Sequence, residues 1–170
     1  MRIAIIGYSG SGKSTLAKEL SSFYGVPLLH MDRICNDKNW KPLPLKNRIN
    51  AIDEFLDNND RWVIDGNYNR VNYWERMQLA DKIIFLNFNR LDCYRACKQR
   101  AKDHSKTPRD SAPNNAVDRF NLSFKMWILF TGRTGKYKRI YKQTIRDFKD
   151  KIIILNNRKE VDEYVKSLSK

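Results

Sequence analysis

The chain has 170 residues, 41% of them hydrophobic, with seven Gly and five Pro. This composition suits one domain (1–170) with a real core and excludes a disordered or low-complexity chain. The formal net charge of +14 points to anionic partners. No uncharged apolar run approaches the roughly 18–20 residues a bilayer span needs, and no signal peptide is expected ahead of the first strand. The expected location is therefore cytoplasmic, with no membrane partner.

In chain order, an apolar strand is predicted over 2–6. It runs into Gly7-Tyr8-Ser9-Gly10-Ser11-Gly12-Lys13-Ser14-Thr15, which fits G-x-x-x-x-G-K-[ST], the P-loop pattern, and a helix is predicted over 13–23. Strand, loop and helix in that order is the context the pattern requires. Backbone N–H groups and the helix N-terminus then face an anion. Lys13 is the candidate for the β- and γ-phosphates, and the Ser14 hydroxyl is the candidate ligand of Mg²⁺. Gly7, Ser9, Gly10, Ser11, Gly12 and Thr15 complete the expected nucleotide-binding set, with ATP and Mg²⁺ as cofactors.

A second strand, 27–30, leads into His30-Met31-Asp32-Arg33. In a doubly wound fold this strand end opens on the ligand crevice, where an ionised Asp32 can orient an acceptor hydroxyl and take its proton. The alternative for Asp32 is a helix cap, and a strand histidine such as His30 can simply be packed. A helix over 45–58 precedes a third strand, 62–65, which ends in Asp65-Gly66-Asn67. An apolar strand ending in Asp beside a P-loop strand resembles the Walker B arrangement, so Asp65 is a second candidate for the metal. An Asp-Gly turn is the plain alternative. Arg33 and Arg70 are placed to meet an anionic group on the acceptor.

Beyond a helix over 73–80 and a strand over 82–87, residues 89–149 hold 16 Lys/Arg against 5 Asp/Glu. This net of +11 is most of the charge of the chain. A helix over 89–102 carries Arg95 and Arg100. The polar loop 103–115 carries Arg109 and is longer than most connections, as lids are. Any of these three arginines can stabilise a transferring phosphoryl group. Arg133, Lys136, Lys138 and Arg139 can serve ligand phosphates or a polyanion. A helix over 116–131, capped by Asn114-Asn115, is expected to turn Val117, Phe120, Phe124, Trp127 and Ile128 to the core. A helix over 136–148, a strand over 151–155 and a helix over 159–168 close the chain. Asn156-Asn157-Arg158 are candidates for the nucleobase, Asn157 among them. Cys35, Cys93 and Cys97 make no disulfide framework and are expected as free thiols.

Strands alternating with helices give an α/β fold. With the P-loop, Leu29-His30-Met31-Asp32, Trp62-Val63-Ile64-Asp65-Gly66-Asn67-Tyr68, Ile84-Phe85-Leu86 and Lys106-Thr107-Pro108-Arg109 in place, the chain resembles the adenylate kinase-like P-loop kinases. It is most similar to a bacterial branch known as topology modulation or adenylate kinase-related proteins. The resemblance implies a P-loop NTPase three-layer sandwich: a five-stranded parallel sheet with helices on both faces and a basic helical lid at about 89–135. It also implies transfer of the γ-phosphate of Mg-ATP with lid arginines as partners. Adenylate kinases carry Phe-Pro-Arg after the Asp-Gly; here Asn67-Tyr68-Asn69 stands there and Arg70 is displaced. Adenosine monophosphate is therefore not carried over as the acceptor. The alternative is a nucleotide-dependent DNA-associated protein using 89–149, although no helix-turn-helix and no topoisomerase nucleophile is evident.

Overall fold

In the computed structural model, which describes residues 1–113, 116–118 and 120–168, five strands form one all-parallel sheet. The strands are β1 (Arg2–Gly7), β2 (Leu28–His30), β3 (Trp62–Asp65), β4 (Lys82–Leu86) and β5 (Ile152–Leu155), in the order β2-β3-β1-β4-β5. The helices are α1 (Lys13–Tyr24), α2 (Met31–Cys35), α3 (Leu45–Asp57), α4 (Tyr73–Leu79), α5 (Arg90–Asp103), α6 (Leu122–Leu129), α7 (Gly135–Asp147) and α8 (Arg158–Leu168).

Side chains of a strand alternate between faces, and both faces of β1 are covered. Ile3 and Ile5 pack with Leu16, Leu20, Cys93, Cys97 and Val161 from α1, α5 and α8. Ala4 and Ile6 pack with Met31, Ile52, Met77 and Tyr141 from α2, α3, α4 and α7. The result is the expected three-layer sandwich with continuous apolar strands at its centre. The two edge strands are less covered: Leu28 and Leu29 of β2 and Ile152 and Ile153 of β5 are half-buried and Ile154 is exposed, because only one side of each strand has a neighbour.

The register places the functional strand ends. Ile5 pairs with Asp65 across β1 and β3, and His30 pairs with Asp65 across β2 and β3. Asp65 therefore sits between His30 and the start of the P-loop. The turn after β3 is tied back to β1: Asn67 accepts from the Gly7 N–H at 3.0 Å and donates to the Gly7 carbonyl at 2.9 Å, so an amide side chain serves as the strand partner that β1 lacks at its end.

Two local expectations are corrected. The helix predicted over 116–131 is shorter, Leu122–Leu129, with Asn121 as its cap: the Asn121 side chain accepts from the Phe124 N–H at 2.9 Å. Asn114-Asn115 lie outside the described residues. Phe120, Phe124, Trp127 and Ile128 do pack on the core, but Val117 is off the helix and exposed. Within the region expected as a lid, α5 packs on the core through buried Cys93 and Cys97.

Candidate active site

A cleft of about 1570 Å³ opens over the C-terminal ends of the strands. Ser9, Gly10, Gly12, Lys13, Ser14 and Thr15 line it from the P-loop, with Asp32, Asp65 and Arg70 beside them. Gly7 and Ser11 do not line it. Gly7 lies against Leu86, and Ser11 is buried with its hydroxyl unpaired among the described residues.

The loop owes its shape to close backbone approach. Gly10 has φ +85°, and a Cβ there would stand 2.4 Å from the Cys93 carbonyl oxygen and 2.7 Å from Cys97 Sγ. No other residue fits between this loop and α5. Lys13 folds back within the loop and donates to the Tyr8 carbonyl at 3.0 Å. Burial lowers its pKa below the ordinary lysine value, against the opposing pull of the Asp65 and Asp32 charges.

Asp65 is held from two sides. Ser14 Oγ donates to its Oδ2 at 2.6 Å, and His30 Nδ1 lies 2.7 Å from its Oδ1. His30 is buried and does not line the cleft. Its place is behind the carboxylate, which it orients. The Ser14–Asp65 pair presents two hard oxygen donors side by side, a donor set that fits Mg²⁺ carried in on phosphates. Among the described residues no group of three or more His, Cys, Asp or Glu could hold a metal by itself.

Asp32 stands in the first turn of α2 and carries no cap bond. Its Oδ1 accepts from Tyr68 at 2.7 Å and its Oδ2 pairs with Arg109 Nη2 at 3.3 Å. Asn36 donates to Tyr68 Oη at 2.6 Å and to the Asp32 carbonyl at 3.2 Å. Burial raises the Tyr68 pKa, and the Asp32 charge raises it further, so the hydroxyl stays a donor.

The candidate arginines separate. Arg109 reaches the cleft and is locked there: it pairs with Asp118 at 3.2 Å and with Asp32, hydrogen-bonds Ser111, and lies over the Trp40 ring. Burial works to lower its pKa, but the charges of Asp118 and Asp32 outweigh it and hold it above the ordinary arginine value. Arg100 lines the cleft and pairs with the same Asp118 at 2.7 Å. Arg95 is exposed, pairs among the described residues with Asp92 alone at 3.8 Å, and does not line the cleft. Arg33 is exposed and also outside it. Asn157 is likewise outside the cleft. Its side chain accepts from the Glu160 N–H at 3.0 Å and donates to Glu160 Oε1 at 2.6 Å, which makes it the cap of α8. Of the three residues expected near a base, Arg158 is the one on the cleft, with its guanidinium against Gly12.

Two further cations line the cleft, Arg133, which the sequence offers for ligand phosphates or a polyanion, and Arg48, which lies in no sequence motif. Arg133 stacks 3.7 Å from the Tyr8 ring centre and donates to the Ile128 and Phe88 carbonyls, so a cation sits directly beside the P-loop. Arg48 comes from α3, and Lys136 from α7 joins the same lining.

No family model and no curated protein matches the chain. Solved structures share its fold at low identity. Deoxyadenosine kinase from M. mycoides with bound dATP has a TM-score of 0.59 at 15% identity, with all of both chains covered. A gluconokinase from Sinorhizobium meliloti 1021 has a TM-score of 0.56 at 16%, covering 98% of this chain and 88% of that one. Shikimate kinase from Bacteroides thetaiotaomicron has a TM-score of 0.54 at 16%, covering 99% and 96%. The fold is therefore that of the P-loop kinases.

Proposed function

We propose that the chain is a phosphotransferase that moves the γ-phosphoryl group of ATP to a hydroxyl of a small acceptor. The observation that carries this is the meeting in one cleft of the P-loop pair Lys13 and Ser14, the Ser14-bonded Asp65, and Asp32 facing the lid arginine Arg109. Lys13 and the loop N–H groups bind the β- and γ-phosphates. Ser14 and Asp65 hold Mg²⁺, which when bound neutralises charge on the phosphates. Asp32 orients the acceptor hydroxyl and takes its proton as the oxygen attacks Pγ. The bond between Pγ and the β–γ bridging oxygen breaks, and ADP leaves. Arg109, Arg100 and Arg133 face the charge that spreads over the transferring group. Residues 103–113 carry Arg109 over the cleft and exclude water. The likeness to the kinases named above supports the reaction class, and so does the likeness of the sequence to the adenylate kinase-related branch. The test is ADP formation from Mg-ATP with a panel of nucleosides, nucleoside monophosphates and hydroxylated metabolites. Stimulation by one acceptor supports the reading, and turnover indifferent to every acceptor opposes it.

A second reading rests on α7. Lys138, Arg139 and Lys142 are exposed, lie outside the cleft, and have no acidic partner among the described residues. Such a stripe suits a nucleic-acid backbone. Duplex DNA binding that weakens steeply with salt, and that is lost in Lys138→Glu/Lys142→Glu while nucleotide turnover persists, would favour it.

A further inference from the structure

Trp40 stands apart from the other large apolar side chains. Among the described residues it is part of neither apolar cluster of the core. It lines the cleft, half-buried, from the loop between α2 and α3. Its backbone is left-handed, with φ 61°, a strained conformation for a bulky aromatic residue. Such strain persists only where the surroundings over-determine it, and here they do. The Asp37 carboxylate accepts from the Asn39 and Lys41 N–H groups at 2.8 Å each. The Trp40 N–H donates to the Asp37 carbonyl at 3.0 Å, and the Leu43 N–H donates to the carbonyl of buried Cys35 at 3.0 Å. The loop is closed on itself and fixed to α2, and what it presents to the cleft is one indole.

That indole makes two contacts with one region. Its face lies against the Arg109 guanidinium, with Cζ 5.3 Å from the ring centre. Its Nε1–H donates to the Val117 carbonyl at 3.0 Å. Val117 precedes Asp118, the carboxylate that pairs with Arg109 at 3.2 Å and with Arg100 at 2.7 Å. Trp40 thus touches the cation itself and the backbone beside its anion.

The two kinds of hold on Arg109 differ in what displaces them. Asp32 and Asp118 bond the N–H edge of the guanidinium, and phosphate oxygens compete for that same edge. The ring acts on the face of the cation and leaves the edge free. It is the contact that Arg109 keeps when phosphate takes over from a carboxylate.

We infer that Trp40 is the positioning residue for Arg109: it holds the guanidinium over the cleft when phosphate oxygens replace Asp32 at its edge. This rests on the phosphotransferase reading for what Arg109 meets, but not for the grip itself.

The test uses the full chain and needs no acceptor. Amide exchange over residues 103–113, where the Ala112 N–H bonds the Arg109 carbonyl at 2.9 Å, reads the grip in the nucleotide-free protein. Trp40→Leu loses both contacts and is expected to speed this exchange by at least about 10-fold; Trp40→Phe keeps a ring, loses the N–H, and is expected to speed it less. Calorimetry with Mg-ADP and with the Mg²⁺ complex of a non-hydrolysable ATP analogue reads the arginine, because the ratio of the two affinities measures discrimination for the γ-phosphate. Trp40→Leu is expected to lower that ratio by about 5- to 10-fold, and Arg109→Met by at least as much. Mg-ADP affinity within about twofold of the parent shows that the Trp40 variants are folded. In the double variant the two losses are not expected to add, because Trp40 acts through Arg109; a ring that only stabilised its own loop would give losses that add. Exchange within about twofold of the parent in Trp40→Leu, a ratio that falls in Arg109→Met but not in Trp40→Leu, or losses that add in the double variant overturns the inference. Faster exchange in Trp40→Leu with a ratio unmoved by Arg109→Met would instead sink the place of Arg109 in the phosphotransferase reading and leave the grip standing.

Discussion

Tyr68 donates its hydroxyl to Asp32 at 2.7 Å from a left-handed backbone conformation, φ 32°. That conformation is uncommon for a bulky aromatic residue and costs of order 1–3 kcal/mol. It persists because the ring is anchored at its far end, where Asn36 donates to the same hydroxyl. The strained turn therefore sets the aim of one Asp32 oxygen and leaves the other for Arg109. Tyr68→Phe is expected to lower kcat by roughly 10-fold or more, the worth of a hydrogen bond to a charged group, with little change in ATP affinity. Steady-state kinetics alongside a nucleotide titration checks this.

The arginines give a contrast within one region. Arg109→Met removes the cation that bridges Asp32 and Asp118 and is expected to reduce kcat by at least about 10²-fold. Arg95→Met alters an exposed side chain whose ion pair with Asp92 is a weak surface contact, so its kcat is expected within about twofold of the parent. Equal losses in both variants would contradict the placement of Arg109.

Gly10→Ala places a methyl group 2.4 Å from the Cys93 carbonyl at a φ of +85°. The backbone of α5 is fixed by buried Cys93 and Cys97 and cannot yield cheaply. Destabilisation of about 1–3 kcal/mol is expected in thermal or urea unfolding, together with weakened ATP binding.

The lowered pKa of Lys13 sets a pH dependence. Burial favours the neutral amine in the folded, nucleotide-free protein, so the unfolded chain binds more protons between the folded value and the ordinary lysine value of 10.5. Lys13 therefore makes stability rise with pH across that window, with the cost of its buried charge fully present below it. Phosphates reverse the preference by stabilising the ammonium. Mg-ATP binding is expected to take up protons as pH rises towards that window, and its affinity is expected to fall there. Calorimetry in buffers of different ionisation enthalpy measures the uptake, and Lys13→Met is expected to abolish it.

Much of this architecture was legible in the sequence because it is local. All five strands were anticipated within about a residue at each end, since Ile3–Ile6, Ile83–Leu86 and Ile152–Leu155 are apolar runs bounded by polar residues. The P-loop, Asp32 and Asp65 follow from position at strand ends. The separation of Arg95 from Arg100 was also within reach, because five residues turn an α-helix by about 140° and the two cannot face one way. The cap at Asn157 was readable as well, from Glu160 three residues on. What was not legible depends on contacts distant in the chain. His30 behind Asp65 needs the β2–β3 register, Tyr68 on Asp32 needs the strained turn, and Arg133 over Tyr8 joins residues 125 positions apart. The start of α6 was misplaced because its apolar pattern continues back through Val117, while Asn121 ends the preceding segment.

The most direct measurement follows phosphorylated product and ADP together, by mass spectrometry, for the parent chain and Asp32→Asn supplied with Mg-ATP and the acceptor found by panel screening. Asn keeps the size of the side chain and can still accept from Tyr68, but it cannot take a proton. Equal amounts of ADP and phosphorylated acceptor from the parent, with a rate roughly 10²–10⁴-fold lower in Asp32→Asn at unchanged ATP affinity, is the predicted result. ADP formed without any phosphorylated acceptor, or an Asp32→Asn rate near that of the parent, would contradict phosphoryl transfer at this site with Asp32 as its base.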